Sequence, residues 1–193
     1  FPAVSAGWVA SSEKFWEPIS KYINHFKIRG SYGLVGSDAF ASGAPHFLYQ
    51  NNIGIGSAHK FWTGLPTSEI SKQGPGFYVL AVQDAGWEHV KKFDIGFDMM
   101  LFNQLNITFD YFHDKRERIL MSRASWPSML GYWGSKPWSN IGEVENQGFE
   151  LSLNWTKQFG KDLTLDLRGN FTYNQNEYKY VDEPSYPYVW QTN

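Results

Sequence analysis

The chain has 193 residues, a formal net charge of −2 and no cysteine. That length allows one ordinary domain, the charge gives no electrostatic case for nucleic acid, and the missing cysteines exclude disulfides, thiol catalysis and cysteine metal sites. Aromatic residues are 18 % of the chain while the mean hydropathy is −0.44, so the aromatics sit among polar neighbours. No apolar run is long enough for a transmembrane helix; β-barrels stay open, because their apolar surface is spread over alternating positions. The chain opens on Phe1-Pro2 with no signal peptide and reads as a mature or internal piece.

Residues 1–10 read as a weak first strand ending near Trp8-Val9-Ala10. Residues 11–24 have helical character: Ser11 or Ser12 can cap, and Phe15, Trp16, Ile19 and Ile23 recur at helical spacing. Pro18 keeps any such helix short. Residues 26–36 alternate, with Phe26, Ile28, Tyr32 and Leu34 opposed to Lys27, Arg29, Ser31 and Gly33. Residues 37–89, rich in Gly, Pro, Ser, Asn and aromatics, read as a long loop with at most short strands, such as 77–82.

The clearest hairpin follows. Phe93, Ile95, Phe97, Met99 and Leu101 alternate with Asp94, Gly96, Asp98 and Met100. A tight Phe102-Asn103-Gln104 turn leads to Leu105, Ile107, Phe109 and Tyr111, which alternate with Asn106, Thr108, Asp110 and Phe112. A second long aromatic loop covers about 115–145, and its end, 141–146, reads as an approach descending into a strand. In that strand Phe149, Leu151, Leu153 and Trp155 oppose Gly148, Glu150, Ser152 and Asn154. A short turn at 158–162, whose Gly160 suits a positive φ, precedes the last alternation. There Leu163, Leu165, Leu167, Phe171 and Tyr173 oppose Thr164, Asp166, Arg168, Asn170 and Thr172, before a Pro/Tyr-rich tail.

Alternation alone fits a soluble antiparallel sheet with one buried face as well as a membrane wall. The connections separate the two. If the strands run up and down, the compact links at 11–25, 102–104 and 158–162 fall at one end, and the long ones at 37–89, 115–145 and after 174 at the other. Short periplasmic turns opposite long extracellular loops are the pattern of an outer-membrane barrel. The apolar faces from Phe93 to Leu101, Leu105 to Tyr111, Phe149 to Trp155 and Leu163 to Leu167 carry no charge. A basic side chain near the bilayer midplane costs roughly 2–4 kcal/mol, so charge-free faces are what lipid demands. Tyr111, Trp155, Phe171 and Tyr173 are placed for an interfacial girdle. The fold class expected is therefore all-β: antiparallel up-and-down strands forming part of a large transmembrane β-barrel. About six strands cannot close such a barrel alone, since membrane barrels begin at about eight.

Four stretches carry a resemblance. They are Phe1-Pro-Ala-Val-Ser-Ala-Gly-Trp with Glu13-Lys14-Phe15; Lys27-Ile-Arg-Gly-Ser-Tyr-Gly; Lys92-Phe-Asp-Ile-Gly-Phe-Asp through Asp110-Tyr-Phe-His-Asp-Lys; and Asn140-Ile-Gly-Glu-Val-Glu-Asn-Gln-Gly-Phe-Glu-Leu. In this order they resemble the SusC/RagA-type TonB-dependent outer-membrane transporters of Bacteroidetes. The resemblance implies one partial barrel domain over 1–193, without the plug and closing strands, located in the outer membrane of a Gram-negative bacterium. It also implies a SusD-like surface lipoprotein as partner, TonB engaged through the absent plug region, and a nutrient ligand, an oligosaccharide or a peptide. The segment by itself is not expected to transport.

No catalytic residue, metal ligand or cofactor is expected. The five histidines are scattered, with no His-Glu-x-x-His. Asp94 with Asp98, and Glu143 with Glu145, read as lumen-facing polarity and a solvated loop. The long-loop aromatics Phe61, Trp62, Trp126, Tyr132, Trp133 and Trp138 suit stacking against the apolar C–H faces of sugar rings, with Arg123, Asn51, Asn52 and Asn140 as hydroxyl partners. The same aromatics also suit loop packing or contact with a lipoprotein partner. The substrate-binding candidates are Trp62, Trp126, Tyr132, Trp133, Trp138 and Arg123. A soluble β-sandwich carbohydrate-binding module is the alternative reading, and an outer-membrane barrel enzyme a weaker one.

Overall fold

A computed structural model describes residues 1–38, 44, 46–65, 68–127, 136–184 and 188, with backbone alone at 55–61, 65, 68–71, 73, 75 and 77. Eight strands follow one another: β1 (Ala3–Val9), β2 (Ile23–Ser37), β3 (Asn52–Leu65), β4 (Ser68–Val79), β5 (Glu88–Leu101), β6 (Leu105–Ser122), β7 (Trp138–Phe159) and β8 (Leu163–Tyr180). Six of them form one antiparallel sheet in the order β1-β2-β5-β6-β7-β8, and β3 pairs with β4 in a hairpin of its own. The six-stranded sheet is therefore an up-and-down meander whose edges are β1 and β8. By contacts the chain divides into two compact units. One is Phe1–Gly36, His89–Arg116 and Val144–Lys179; the other is Ser37–Glu88, Glu117–Glu143 and Tyr180–Asn193.

In the first unit, alternation makes two unlike faces. Along one face runs an aromatic ladder. Trp16 stacks on Phe26 at 5.3 Å and 7°, followed by Phe26–Phe97 at 5.9 Å, Phe97–Phe109 at 5.5 Å, Phe109–Phe149 at 6.1 Å and Phe149–Phe171 at 5.8 Å. Each strand from β2 to β8 in the meander contributes one ring, so the ladder ties neighbours together by cross-strand pairing, worth about 0.2–1 kcal/mol per pair. The face is open: Leu163 is 60 % exposed, Leu167 54 % and Phe171 56 %. Among the described residues the buried hydrophobics are Ala10, Leu48, Val82, Val90 and Leu120, and no large side chain is fully buried. A soluble sandwich covers such a face with a second sheet about 10 Å away. Among the described residues, large apolar side chains of this face stay exposed where a sandwich would bury them, so the soluble β-sandwich is not the account of the fold.

The turns follow local chemistry. Phe102 and Asn103 both adopt positive φ, 53° and 54°, the geometry a two-residue hairpin needs to match strand twist. Asn24 fixes that turn from outside the hairpin, its Oδ1 accepting from the Asn103 N–H at 2.6 Å. Gly160 takes φ 69° in the β7–β8 turn, as its lack of a side chain allows.

Three expectations are corrected. Residues 11–24 form two 3-10 turns, Ala10–Ser12 and Lys14–Trp16, in place of an α-helical segment. Pro18 and a single buried side chain across those turns, Ala10, leave no apolar stripe to anchor a longer helix. Residues 37–89 hold two long strands, because β3 and β4 pair with each other, from Asn52↔Val79 to Leu65↔Ser68. Their Gly- and Ser-rich sequences carry no strong alternation, and hairpin pairing overrides that weak local preference. Residues 141–146 lie inside β7, which starts at Trp138, so the approach is itself strand.

Candidate functional site

On the face opposite the aromatic ladder, charge is concentrated. Arg29 of β2 donates from Nη2 to Asp110 Oδ2 of β6 at 2.7 Å and from Nε to Asp98 Oδ2 of β5 at 3.3 Å, with Asp94 Oδ1 3.9 Å from Nη1. Lys92 pairs with Asp114 at 3.2 Å nearby. Arg29, Lys92, Asp94, Asp110 and Asp114, with Glu150, line an open hollow of about 520 Å³. Asp94 and Asp98, read from sequence as lumen-facing polarity, belong to this cluster.

Farther along β6, β7 and β8 than the ladder rings, the ladder face turns polar. His113 Nε2 lies 2.5 Å from Glu145 Oε1, and Lys179 Nζ bridges Glu145 at 2.9 Å and Glu177 at 2.8 Å. Tyr111 donates to Gln147 Oε1 at 3.4 Å one step nearer the ladder. Glu145 is thus an ion-pair partner in the sheet rather than a solvated loop residue.

The second unit contains the substrate-binding candidates that the structure describes. Trp138, the first residue of β7, packs against the buried cluster of Leu48, Val82 and Leu120, and its indole Nε1 is enclosed without a partner. Trp126 sits half-buried, its Nε1 likewise enclosed, with its backbone N–H donating to Arg123 O at 3.3 Å. Arg123 donates from Nε to Asp182 Oδ2 at 3.3 Å. Trp62 lies on β3 opposite Ser71 and is 64 % exposed. Tyr132, Trp133 and the side chain of Phe61 lie outside the described residues.

Asp182 is the anchor of this region. Ser125 reaches it twice, from its backbone N–H at 3.0 Å and from its hydroxyl at 2.8 Å, and Arg123 adds a charge. Burial pushes the Asp182 carboxyl up, but the two Ser125 hydrogen bonds and the Arg123 guanidinium outweigh it and hold the group below its ordinary value.

The same unit holds a cavity of about 230 Å³ that includes Asp38, His46, Tyr49, Trp87, Glu88 and Asn140 in its lining. Its walls are tied down. Asn140 takes Gly86 on both sides, accepting from Gly86 N–H at 3.2 Å and donating to Gly86 O at 2.9 Å, and it also donates to Arg118 O at 2.9 Å. Val82 N–H donates to Leu48 O at 2.7 Å, joining the 46–50 turn to the 80–87 segment. Asn140, expected as a hydroxyl partner, instead spends its amide on the wall. Tyr49 and Trp87 were not singled out from sequence: each stands in an irregular stretch, with no periodicity to give it a direction.

An antiparallel sheet with an aromatic band free of charge on one face and a charged cluster on the other is the wall of a membrane β-barrel, and this chain is a segment of one. It belongs to the TonB dependent receptor-like β-barrel family, whose model matches residues 1–189. Relatives include TonB-dependent receptor P3 of Formosa agariphila, 30 % identical over 178 residues, covering 92 % of this chain and 16 % of that protein. TonB-dependent receptor P39 of the same organism is 29 % identical over 178 residues, with 92 % and 15 % covered. TonB-dependent receptor SusC of Bacteroides thetaiotaomicron is 26 % identical over 189 residues, with 92 % and 17 % covered. Among solved structures, the RagAB peptide importer in its open-open state matches with a TM-score of 0.70 at 20 % identity, covering 93 % of this chain and 18 % of that one, a likeness of fold. The chain thus spans about one-sixth of the length of the relatives it matches.

Proposed function

We propose that the complete protein is an outer-membrane active transporter that imports nutrient oligosaccharides in a TonB-dependent manner, together with a SusD-like surface lipoprotein. The observation that carries this reading is the exposed aromatic face, free of charge from Phe93 to Leu101, Leu105 to Tyr111, Phe149 to Trp155 and Leu163 to Leu167, in a chain that matches the family over residues 1–189. In water that face exposes large apolar side chains; in a bilayer it is solvated by lipid. The relatives are named as receptors and not as enzymes, which supports binding and uptake over catalysis.

Sugar is the ligand favoured by the exposed aromatics of the second unit. Trp62 presents an open indole face, and Trp126, Tyr132, Trp133, Trp138 and Arg123 complete the group proposed to contact substrate. An aromatic ring stacks on the apolar face of a pyranose, while amide and charged neighbours take its hydroxyls.

The reading is tested by uptake of a labelled oligosaccharide into cells carrying the complete protein, with TonB present and deleted. Uptake that needs both the transporter and TonB is expected. Uptake that survives TonB deletion removes the active-transport reading, and import of peptides with no oligosaccharide import removes the sugar.

A further inference from the structure

The 46–52 segment leads into the β3–β4 hairpin and is tied to the chain that leaves it. Val82 N–H donates to Leu48 O at 2.7 Å, and Ala81 N–H donates to Asn51 Oδ1 at 2.8 Å. Gln50 N–H closes the turn on Phe47 O at 3.1 Å, and Leu48 within that turn is buried. At the hairpin base Asn52 pairs with Val79 but Ile53 pairs with Phe77, a β-bulge that bends the strands and re-aims their side chains. Turn and bulge together line a hollow of about 400 Å³, within the roughly 300–1,000 Å³ of small-molecule sites.

This hollow is lined by amides and apolar groups. Gln50, Asn51 and Asn52 give it three consecutive side-chain amides, and Phe47, Ile53 and Val79 its apolar part. No carboxylate, lysine or arginine is among its lining residues. Because Ala81 N–H is a donor, the Asn51 atom facing it is the oxygen, which leaves the Nδ2 hydrogens to donate elsewhere. Gln50 and Asn52 are exposed, and among the described residues their side chains have no hydrogen-bond partner. Each of these amides sets a donor beside an acceptor, the pattern that neighbouring hydroxyls of a sugar ring return. Phe47 is 63 % exposed, its ring braced edge-on by Tyr49 at 6.2 Å and 85°. A charged ligand would lose water here without gaining a counter-charge.

We infer that this hollow is a subsite for an uncharged sugar unit, whose hydroxyls bond to Gln50, Asn51 and Asn52 while its C–H face meets Phe47. This rests on the oligosaccharide-import reading and narrows it to uncharged glycans. Asn51 also fixes the turn, so Gln50 and Asn52, whose side chains hold nothing else, are the residues to alter.

The test is titration calorimetry on the complete transporter purified in detergent, at about pH 8, above the ordinary imidazole range of His46 in the lining. The probes are uncharged hexamers of β-1,4-glucose, β-1,4-mannose and α-1,4-galactose, the uronate form of each, and an alanine hexamer. An uncharged hexamer is expected to bind, with its uronate form at least about tenfold weaker. Gln50→Ala and Asn52→Ala are each expected to weaken it about fivefold, the worth of one net hydrogen bond. Asn52→Lys is expected to weaken the uncharged hexamer and admit the uronate, a change that a merely structural role would not produce. No binding of any uncharged hexamer, equal affinity for a hexamer and its uronate, or affinity unchanged in both alanine variants overturns the proposal. Binding of the alanine hexamer with no sugar bound overturns the sugar. Cell uptake is read separately, so sugar binding without cellular import sinks the import reading and leaves the subsite standing.

Discussion

Arg29 and Asp110 are joined by a 2.7 Å ion pair although they sit on β2 and β6, with β5 lying between those strands in the sheet. The long guanidinium crosses the intervening strand and gathers Asp98 on the way, which cross-links three strands on the charged face. Arg29→Met leaves Asp94, Asp98 and Asp110 facing one another without a cation. The expected cost is about 1–3 kcal/mol, between the values for an exposed and a buried pair. Arg29→Lys recovers only part, because an ammonium cannot fork to two carboxylates as a guanidinium does. Urea unfolding of the complete protein in lipid vesicles measures it; an unchanged midpoint in Arg29→Met would show that the cluster is energetically silent.

Gly148, on β7, is packed too tightly for a side chain. A Cβ there would run into the Tyr173 carbonyl oxygen and come within 2.7 Å of the Phe112 ring. Gly148→Ala is expected to destabilise by about 1–3 kcal/mol through overpacking, with larger side chains blocking assembly. Gly169→Ala is the control, since a Cβ there meets nothing within 4 Å. The comparison is read from folded yield and unfolding midpoint of the two variants side by side.

The two faces of the sheet predict opposite responses to the same charge. Leu165→Arg, on the aromatic face, is expected to cost about 2–4 kcal/mol if its position lies near the bilayer midplane. Ser152→Arg, on the charged face of β7, is expected to be close to neutral. Folding of both variants into vesicles decides it, and equal losses would contradict the assignment of the aromatic face to lipid.

Asp182 makes one part of the fold acid-sensitive. Its carboxyl is held below its ordinary value, so its contribution is full above the unfolded-state pKa of about 3.9 and is lost as pH falls through the folded-state value. Asp182→Asn is expected to loosen the Arg123–Ser125 turn at neutral pH, raising backbone hydrogen exchange there. The difference from the unaltered protein should shrink on acidification, because the natural carboxyl is then protonated too. A gap that persists in strong acid would assign the effect to packing instead of charge.

Much of this wall is legible in the order of the residues. Period-two alternation is local, and it marks Phe97, Phe109, Phe149 and Phe171 as one face and Asp94, Asp98, Asp110 and Glu150 as the other before any strand is paired. The Asn103 turn and Gly160 are legible for the same reason: positive φ is a property of one or two residues. Strand ends are not, because alternation fades where the face turns polar at His113, Glu145 and Lys179, while backbone pairing continues past them.

The amino-acid sequence by itself determined an antiparallel wall with one face for lipid and one for charge, and the family to which it belongs. Only the tertiary structure decided which groups meet: Arg29 with Asp110 across a strand, Asp182 with Ser125 over 57 positions, Trp87 and Tyr49 at one cavity. The physical reason is that facing is set by the backbone's two-residue repeat, whereas meeting depends on the stagger between strands and the path of the connections. No short stretch of sequence contains either.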